Sequence, residues 1–195
     1  MVILVNMYDD GLAILPTHRL INLPAIKEDE IITSISPYFS VETHLIDKTK
    51  EISTLVFEIK EHIKDDTQHK FALCFKDHYH ILTLTDLHIM DELAKERSEV
   101  WRTLDVSILH KIIIEKSLGI NQENLEDHIK YTREDSEAIS LVKKGEYDCS
   151  VIMNSTRIDE LKAIADGGEH MPQKSTYFLP KMLSGLVMYL SLIHI

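Results

Sequence analysis

Hydrophobic positions along the chain follow two different spacings, and each predicts a different kind of element. Residues 52–63 place apolar side chains at helical intervals with charged residues between them, which predicts an amphipathic helix. Residues 98–118 carry a wide apolar face that stops at Gly119, which predicts a central core helix with glycine at its end. Residues 27–34 also have helical character. The first part of the chain is therefore predicted to contain several helices.

Shorter apolar runs predict strands, most of them in hairpins. Residues 2–7 and 12–15 are joined by an Asp-Gly turn, which predicts a hairpin whose second strand ends at Pro16. Residues 70–76 and 80–85 predict a second hairpin.

From Ile129 onward, strands and helices alternate. The predicted elements are a strand at 129–131, a helix at 134–144, a strand at 148–153, a helix at 157–165, and strands at 177–178 and 186–189. Both helices open with a Thr-x-x-Asp pattern, Thr132 with Asp135 and Thr156 with Asp159, which predicts capping boxes. Together these elements predict a mixed α+β fold whose mixed sheet combines hairpins with strand-helix-strand units.

The domain organisation is interpreted from the two ends of the chain. Residues 1–189 are expected to be the C-terminal portion of a longer protein, with subdomains at 1–120 and 121–189 as one option. The chain starts directly in an apolar run, so we expect an N-terminal portion to be missing. Residues 190–195 are similar to the translation of a sequencing-library transposon end and are interpreted as an artefact, with a genuine apolar last strand as the alternative.

Composition excludes several classes of partner. The 195 residues carry a formal net charge of -11, which disfavours nucleic acid and anionic membranes as partners. No apolar run reaches the length of about 18 residues that a membrane span needs. Cys74 and Cys149 lie inside apolar runs, which predicts buried unpaired thiols and a cytoplasmic location.

The segment 171–181 concentrates groups that bind anions. The candidate ligand-binding residues are Gln173, Lys174, Ser175, Thr176, Tyr177 and Lys181. The lysines supply charge, while the amide and hydroxyl groups supply directional hydrogen bonds. The spacing from Gly168 resembles a phosphate-binding P-loop, but Gln173 replaces the second glycine and Pro172 lacks an N–H, so we reject that mechanism. A polar loop that docks on the core is the alternative.

A second candidate segment, Thr17-His18-Arg19, follows the first predicted hairpin. Arg19 can hold an oxyanion with its forked guanidinium, Thr17 can donate a hydrogen bond, and His18 is the candidate catalytic acid or base. The alternative is a strand end with surface polar residues. We expect the two segments to form one site for a small anionic metabolite.

Two other groups of residues are weaker candidates for a functional site. His78 and His80 lie on one face of a predicted strand, but the spacing is common by chance in a chain with 11 histidines, so no metal site is predicted. Asp105 and His110 are five positions apart on a predicted helix, which is more than one turn. This spacing favours a buried polar contact for Asp105 and a helix-side histidine for His110 over a catalytic pair.

The order of these motifs resembles a known family. The residues that carry the resemblance are Pro16-Thr17-His18-Arg19, Leu104-Asp105-Val106-Ser107 with Leu109-His110, Tyr131-Thr132-Arg133, Met171 to Lys181, and Ser184-Gly185-Leu186-Val187. In this order they are similar to a widespread bacterial and archaeal family known as domain of unknown function ten-fifteen. His170 and Leu179 depart from the family pattern, in which arginine and tyrosine are usual.

The resemblance implies a partner and a ligand class without naming a cofactor. Family members are longer, so the missing N-terminal portion of the parent protein is an expected partner. Gene neighbourhoods and a loose similarity of that portion to free-serine kinases imply a serine-related ligand and phosphotransfer. The first hypothesis is a small-anion enzyme, and the alternative is a non-catalytic binding or regulatory protein. A titratable His18 near the lysines favours the enzyme, whereas a His18 turned into the core favours the binder.

Overall fold

A computed structural model of the protein describes residues 5–23, 27–65, 67–121 and 123–181. The strands are β1 Ala13–Leu15, β2 His18–Ile21, β3 Phe39–Leu45, β4 Lys70–Cys74, β5 His78–Leu84, β6 Ile129–Thr132, β7 Cys149–Ile152 and β8 Tyr177–Leu179. The helices are α1 Glu28–Ile35, α2 Ile52–Ile63, α3 Ile89–Leu93, α4 Glu99–Arg102, α5 Asp105–Ile108, a π-helix at Leu109–Ser117, α6 Leu125–His128, α7 Asp135–Lys144 and α8 Ile158–Asp166. The mixed α+β class predicted from the sequence is confirmed.

Six strands form the main sheet, in the order β3-β5-β4-β7-β2-β6. The predicted strand-helix-strand unit, β6-α7-β7, has β2 inserted between its two strands and antiparallel to both. All pairings in the described part of the chain are antiparallel, whereas the sequence predicted a mixed sheet. The sheet also takes strands from both sides of residue 120.

A small second sheet joins the two ends of the described chain. Strand β1 pairs with β8, and Leu15 lies opposite Tyr177. The predicted hairpin partner is therefore wrong, since residues 5–7 form no strand and residues 2–4 lie outside the described residues. The predicted strand 186–189 also lies outside them. The β1-β8 pairing brings the segment after Leu15 next to the segment before Tyr177.

Helices cover both faces of the main sheet. Each strand contributes side chains to both contacts, because its alternate residues point to opposite sides. Leu20, Ala72 and Ile152 pack with apolar residues of α2 and α7. Their neighbours Ile21 and Val151 pack with residues of α1, α5 and the π-helix. The amphipathic pattern of residues 52–63 is thus explained by burial of one side of α2. Cys74 and Cys149 are buried and unpaired, as predicted.

The predicted core helix at 98–118 is broken into α4, α5 and the π-helix. The backbone of Leu104 is extended, with φ -71° and ψ 133°, and separates α4 from α5. Leu104 is 1% exposed, so burial of this side chain outweighs the continuation of the helix. The end is predicted correctly, because Gly119 follows the π-helix with φ +68°.

The two predicted capping boxes are also wrong. The cap positions of α7 and α8 are Glu134 and Arg157, so both threonines precede the cap. Thr132 Oγ1 accepts a hydrogen bond from the N–H of Glu134 at 3.2 Å. Thr156 Oγ1 instead donates to the carbonyl of Ser175 at 3.1 Å. This second threonine therefore anchors the lysine-containing segment instead of a helix.

Candidate anion site at one end of the sheet

Polar side chains collect at one end of the main sheet because of its antiparallel register. Strands β2 and β4 begin at this end, while β6 and β7 finish there. The small sheet adds the start of β8, because Tyr177 lies opposite Leu15, two residues before Thr17. The structure therefore brings together two candidate segments that are separated by most of the chain.

Arg19 lies at the centre of this end and is 0% exposed. Its Nη1 donates to the carbonyl of Thr17 and contacts Met153 Sδ at 2.8 Å. Its Nη2 lies 3.1 Å from His110 Nε2, and its Cζ lies 5.5 Å from the centre of the Tyr131 ring. Within the described residues, no carboxylate forms an ion pair with this guanidinium, and its Nε has no hydrogen-bond partner.

The electrostatics of this pocket favour an anion. Burial lowers the pKa of Arg19 to about 10, which leaves the guanidinium charged at neutral pH. Burial and the charges of Arg19 and Lys111 lower the pKa of His110 to about 3, so this imidazole is neutral and accepts a hydrogen bond from Arg19. The Arg19 guanidinium is thus a desolvated positive charge whose direct contacts, Thr17, Met153, His110 and Tyr131, are neutral.

Tyr131 connects Arg19 with the second candidate segment. Lys174 Nζ lies 6.0 Å from the centre of the same ring that Arg19 contacts. Beside it, the guanidinium of Arg133 lies 3.7 Å from the centre of the Tyr177 ring. Cations are attracted to the faces of aromatic rings, so Tyr131 and Tyr177 hold three positive groups close to this end of the sheet.

The remaining residues of the 171–181 segment differ in exposure. Ser175 is buried and its carbonyl is held by Thr156, whereas Thr176 and Tyr177 are half-buried. Gln173, Lys174 and Lys181 are exposed. Lys174 has φ 56°, a left-handed conformation that is uncommon for residues with a side chain. The segment is therefore anchored at Ser175 and conformationally strained at the adjacent lysine.

His18 does not face the same side of the sheet as Arg19. Successive residues of a strand point in opposite directions, and His18 points toward α2 and α7. Its Nε2 lies 2.9 Å from Asp135 Oδ1, and its Nδ1 accepts from the N–H of Met153 at 3.4 Å. Burial lowers the pKa of His18, more than Asp135 raises it. His18 is therefore a buried neutral imidazole separated from the Arg19 pocket by the sheet.

Asp135 links His18 to a polar cleft. Its Oδ1 also accepts from Lys60 Nζ at 3.0 Å, and although burial raises its pKa, His18 and Lys60 together lower it to about 2. Lys60 lines a cleft of about 540 Å³ whose other lining residues are Lys64, Asp65, Thr67, Gln68, His69, Thr103, Asp105, Asn154, Ser155, Arg157 and Glu160. This cleft was not predicted from the sequence, because its residues come from three separate stretches of the chain, 60–69, 103–105 and 154–160.

Asp105 and His110 contact different partners. Asp105 Oδ1 lies 2.7 Å from His69 Nδ1 in the cleft, whereas His110 turns to Arg19. Asp105 therefore makes a polar contact, as the sequence favoured, whereas the contact of His110 with Arg19 was not predicted from sequence spacing.

The fold and this pocket define a mixed α+β protein with a cation-centred site at one end of an antiparallel sheet. A family model described as a protein of unknown function (DUF1015) matches residues 1–107, which is more than half of the chain. The chain belongs to this family. A search of curated proteins finds no match. None of the helices in the described ranges is long and apolar enough to cross a bilayer.

A comparison with solved structures finds two chains that match over most of this one. A conserved hypothetical protein from Pyrococcus furiosus has a TM-score of 0.47 at 12% identity, covering 91% of this chain and 60% of its own. A free serine kinase mutant in complex with AMP has a TM-score of 0.49 at 14% identity, covering 91% of this chain and 58% of its own. The chain therefore spans less than two thirds of the length of these two proteins.

Proposed function

We propose that this protein binds a small phosphorylated or carboxylated metabolite between Arg19 and Lys174, and that it is a binding or regulatory protein. Serine and phosphoserine are the first ligands to test. The observation that carries the proposal is the fully buried Arg19 guanidinium, which has no carboxylate partner among the described residues.

Burial of the Arg19 charge is energetically costly, and a bound anion offsets part of this cost. An unpaired ion inside a protein costs several kcal/mol, even after local relaxation. An oxyanion that reaches Arg19 recovers part of this cost through two parallel hydrogen bonds, because a guanidinium matches carboxylate and phosphate geometry. Ligand binding is therefore more favourable at this arginine than at an exposed one.

Lys174 marks the route by which a ligand reaches Arg19. Arg19 has no exposed surface, so the segment around Lys174 has to move away from Tyr131 before the ligand enters. The left-handed backbone of Lys174 makes such a movement less costly, because the strain is released when the segment rearranges. In the bound state, the Lys174 ammonium contributes a second positive charge, with Ser175, Thr176, Tyr177 and Thr17 as hydrogen-bond donors.

Binding is favoured over catalysis by the direction of His18. An acid or base has to lie within hydrogen-bond reach of the reacting group, and His18 is on the opposite face of the sheet from Arg19. The enzyme hypothesis, with His18 as acid or base and a phosphotransfer reaction, requires turnover that is lost in His18→Gln. The binding hypothesis requires ligand affinity that survives this substitution.

The test is a calorimetric titration of the 195-residue chain with phosphoserine, serine and inorganic phosphate. We expect Lys174→Ala to weaken binding about tenfold, equal to about 1.4 kcal/mol. Arg19→Lys should weaken it further, because lysine keeps the charge and loses the fork. Lys95→Ala, which changes an exposed lysine of another segment, is the matched control and should leave the affinity unchanged.

The proposal fails if none of these ligands binds. It also fails if the affinity is unchanged in the double variant with Arg19→Lys and Lys174→Ala, because the charges would then have no part in binding. Circular dichroism of each variant checks that a lost affinity is not a lost fold.

A further inference from the structure

Two histidines and a glutamate meet at the other end of the main sheet from Arg19. His78 and His80 are alternate residues of β5, so their side chains lie on the same face. Glu28 is the first residue of α1, which packs on this face. Its Oε1 lies 2.6 Å from His78 Nε2 and 3.1 Å from His80 Nε2. The fold thus brings Glu28 together with two histidines that are 50 and 52 positions away in sequence, which gives three potential metal ligands.

We propose that Glu28, His78 and His80 form a zinc-binding site. One ligand atom from each residue lies within 4.8 Å of the other two. Two imidazoles with one carboxylate are an established ligand set for Zn²⁺, which then keeps a fourth position for water or another ligand. Calcium and magnesium prefer sites made of oxygen atoms, so the two nitrogen ligands favour a transition metal.

The distances leave a small adjustment for an ion to enter. In a tetrahedral site with bonds of about 2.0–2.2 Å, neighbouring ligand atoms lie roughly 3.3–3.6 Å apart. The carboxylate oxygen is closer than this to both nitrogens, so it has to withdraw by about 1 Å or less. Glu28 has a long side chain at the start of a helix, and 34% of that side chain is exposed. Rotation of this side chain therefore opens the site without a backbone movement.

The surrounding residues hold the two imidazoles in position. Thr43 Oγ1 lies 2.9 Å from His80 Nδ1, and hydrogen bonds of this kind orient the histidine ligands of metals. A hydroxyl can donate or accept, so this contact persists when His80 changes tautomer to present its Nε2 lone pair. Phe75 stacks on His78 at 5.3 Å between ring centres and meets the edge of His80 at 5.8 Å. Both rings are therefore fixed before an ion arrives.

The site is both sheltered and accessible. The side chain of His80 is 7% exposed and that of His78 is 23% exposed. The packing of Phe75 excludes water from one side, which strengthens the attraction between the ion and Glu28. The exposed parts of Glu28 and His78 leave a path from solvent. A zinc ion can thus be loaded into the folded protein.

A hydrogen-bonded cluster without a metal function is the competing explanation. In that case both imidazoles donate a hydrogen bond to Glu28 Oε1, and the three side chains only connect α1 to β5. The two explanations differ in the response to added zinc. A simple cluster gains nothing from the ion, whereas a metal site is stabilised because zinc binds the folded state.

The experiment uses the full chain after treatment with a chelator. We expect one Zn²⁺ per chain by calorimetry, a higher melting temperature with zinc, and the visible absorption of tetrahedral Co²⁺ when cobalt replaces it. Glu28→Gln and His80→Gln should each weaken zinc binding at least tenfold. His88→Gln is the matched control, because His88 forms a surface pair with Asp91 at 3.1 Å, and it should bind zinc as the wild type does.

Three outcomes overturn the proposal. They are a wild-type chain that binds no zinc, zinc affinity that is unchanged in both Glu28→Gln and His80→Gln, and a loss of affinity in His88→Gln equal to that in Glu28→Gln. If His80→Gln fails to fold, Glu28→Gln decides the question, because the partly exposed Glu28 can be replaced without opening the core.

Discussion

At Arg19, the requirements of folding stability and of ligand binding are opposed. Burial of an unpaired guanidinium is unfavourable, and proteins retain such groups at sites where a ligand later supplies the missing charge. The hydrogen bonds to Thr17 and His110 satisfy part of the guanidinium but do not neutralise it. The residue is therefore expected to stabilise the bound protein more than the free one.

Replacement of Arg19 by an apolar residue tests this opposition. We expect Arg19→Met to leave the free energy of unfolding unchanged or to raise it by up to about 2 kcal/mol, because apolar replacements of buried charges are often stabilising. The same variant should lose phosphoserine binding. Urea denaturation and calorimetry measure the two effects. A loss of stability above about 3 kcal/mol would identify Arg19 as a structural residue instead.

The lowered pKa values of His18 and His110 predict how stability depends on pH. Burial lowers the pKa values of both His18 and His110 in the folded protein, the latter to about 3. The unfolded chain, with a histidine pKa near 6.5, therefore binds more protons below that pH than the folded one. Stability should be complete above pH 6.5 and fall as the pH decreases, by at most about 1.4 kcal/mol per pH unit for each histidine.

Denaturation between pH 7 and 5 measures this effect, because the carboxylates titrate mainly below that range. His110→Gln should make the dependence shallower, since glutamine does not titrate. His88→Gln should not make the dependence shallower. Asp91 raises the pKa of His88, so this histidine contributes to the pH dependence of stability with the opposite sign. If the pH dependence of stability is unchanged in His110→Gln, the lowered pKa of His110 is contradicted.

At the scale of elements, the end of α7 depends on one backbone conformation. Gly145 caps this helix with φ +77°. A Cβ at this position would meet no atom within 4 Å, so the cost of a side chain is backbone strain alone. We expect Gly145→Ala to lower the free energy of unfolding by about 1–2 kcal/mol.

The matched control is Gly167→Ala at the end of α8. Gly167 has φ -74°, and a Cβ there would lie 3.4 Å from the nearest carbonyl oxygen, which is an ordinary contact. This substitution should change stability by less than about 0.5 kcal/mol, because alanine adopts the same conformation without strain. Equal effects of the two substitutions in thermal unfolding would show that backbone strain is not the cause.

Local pattern was sufficient for elements with one buried side. The spacing in residues 52–63 predicted α2, and the hairpin at 70–85 was predicted within a few residues. The hydrophobic pattern of residues 98–118 did not predict the break in this helix, because local spacing carries no information about the tertiary packing that extends the backbone at Leu104. The predicted partner of β1 was wrong for a related reason. A nearby Asp-Gly turn favours a hairpin, whereas the observed partner is β8.

At the scale of the whole molecule, the sequence predicted the residue types of the anion site but not their directions. Arg19 and Lys174 approach one ring because β1 pairs with β8, a contact that no local pattern contains. His18 and Arg19 point in opposite directions because both lie within β2, whereas the sequence placed them after the end of a strand. The contact of Glu28 with His78 and His80 was not predicted, because the two histidines are 50 and 52 positions away.

The insertion of β2 between β6 and β7 has a consequence for synthesis on the ribosome. Residues 18–21 leave the ribosome long before residues 129–152, which supply both of their neighbours in the sheet. Until then β2 has no partner on either side, and contacts of such long sequence separation form slowly. The region matched by the family model, residues 1–107, contains neither neighbour. The boundary of sequence similarity therefore does not coincide with a unit that completes its sheet independently.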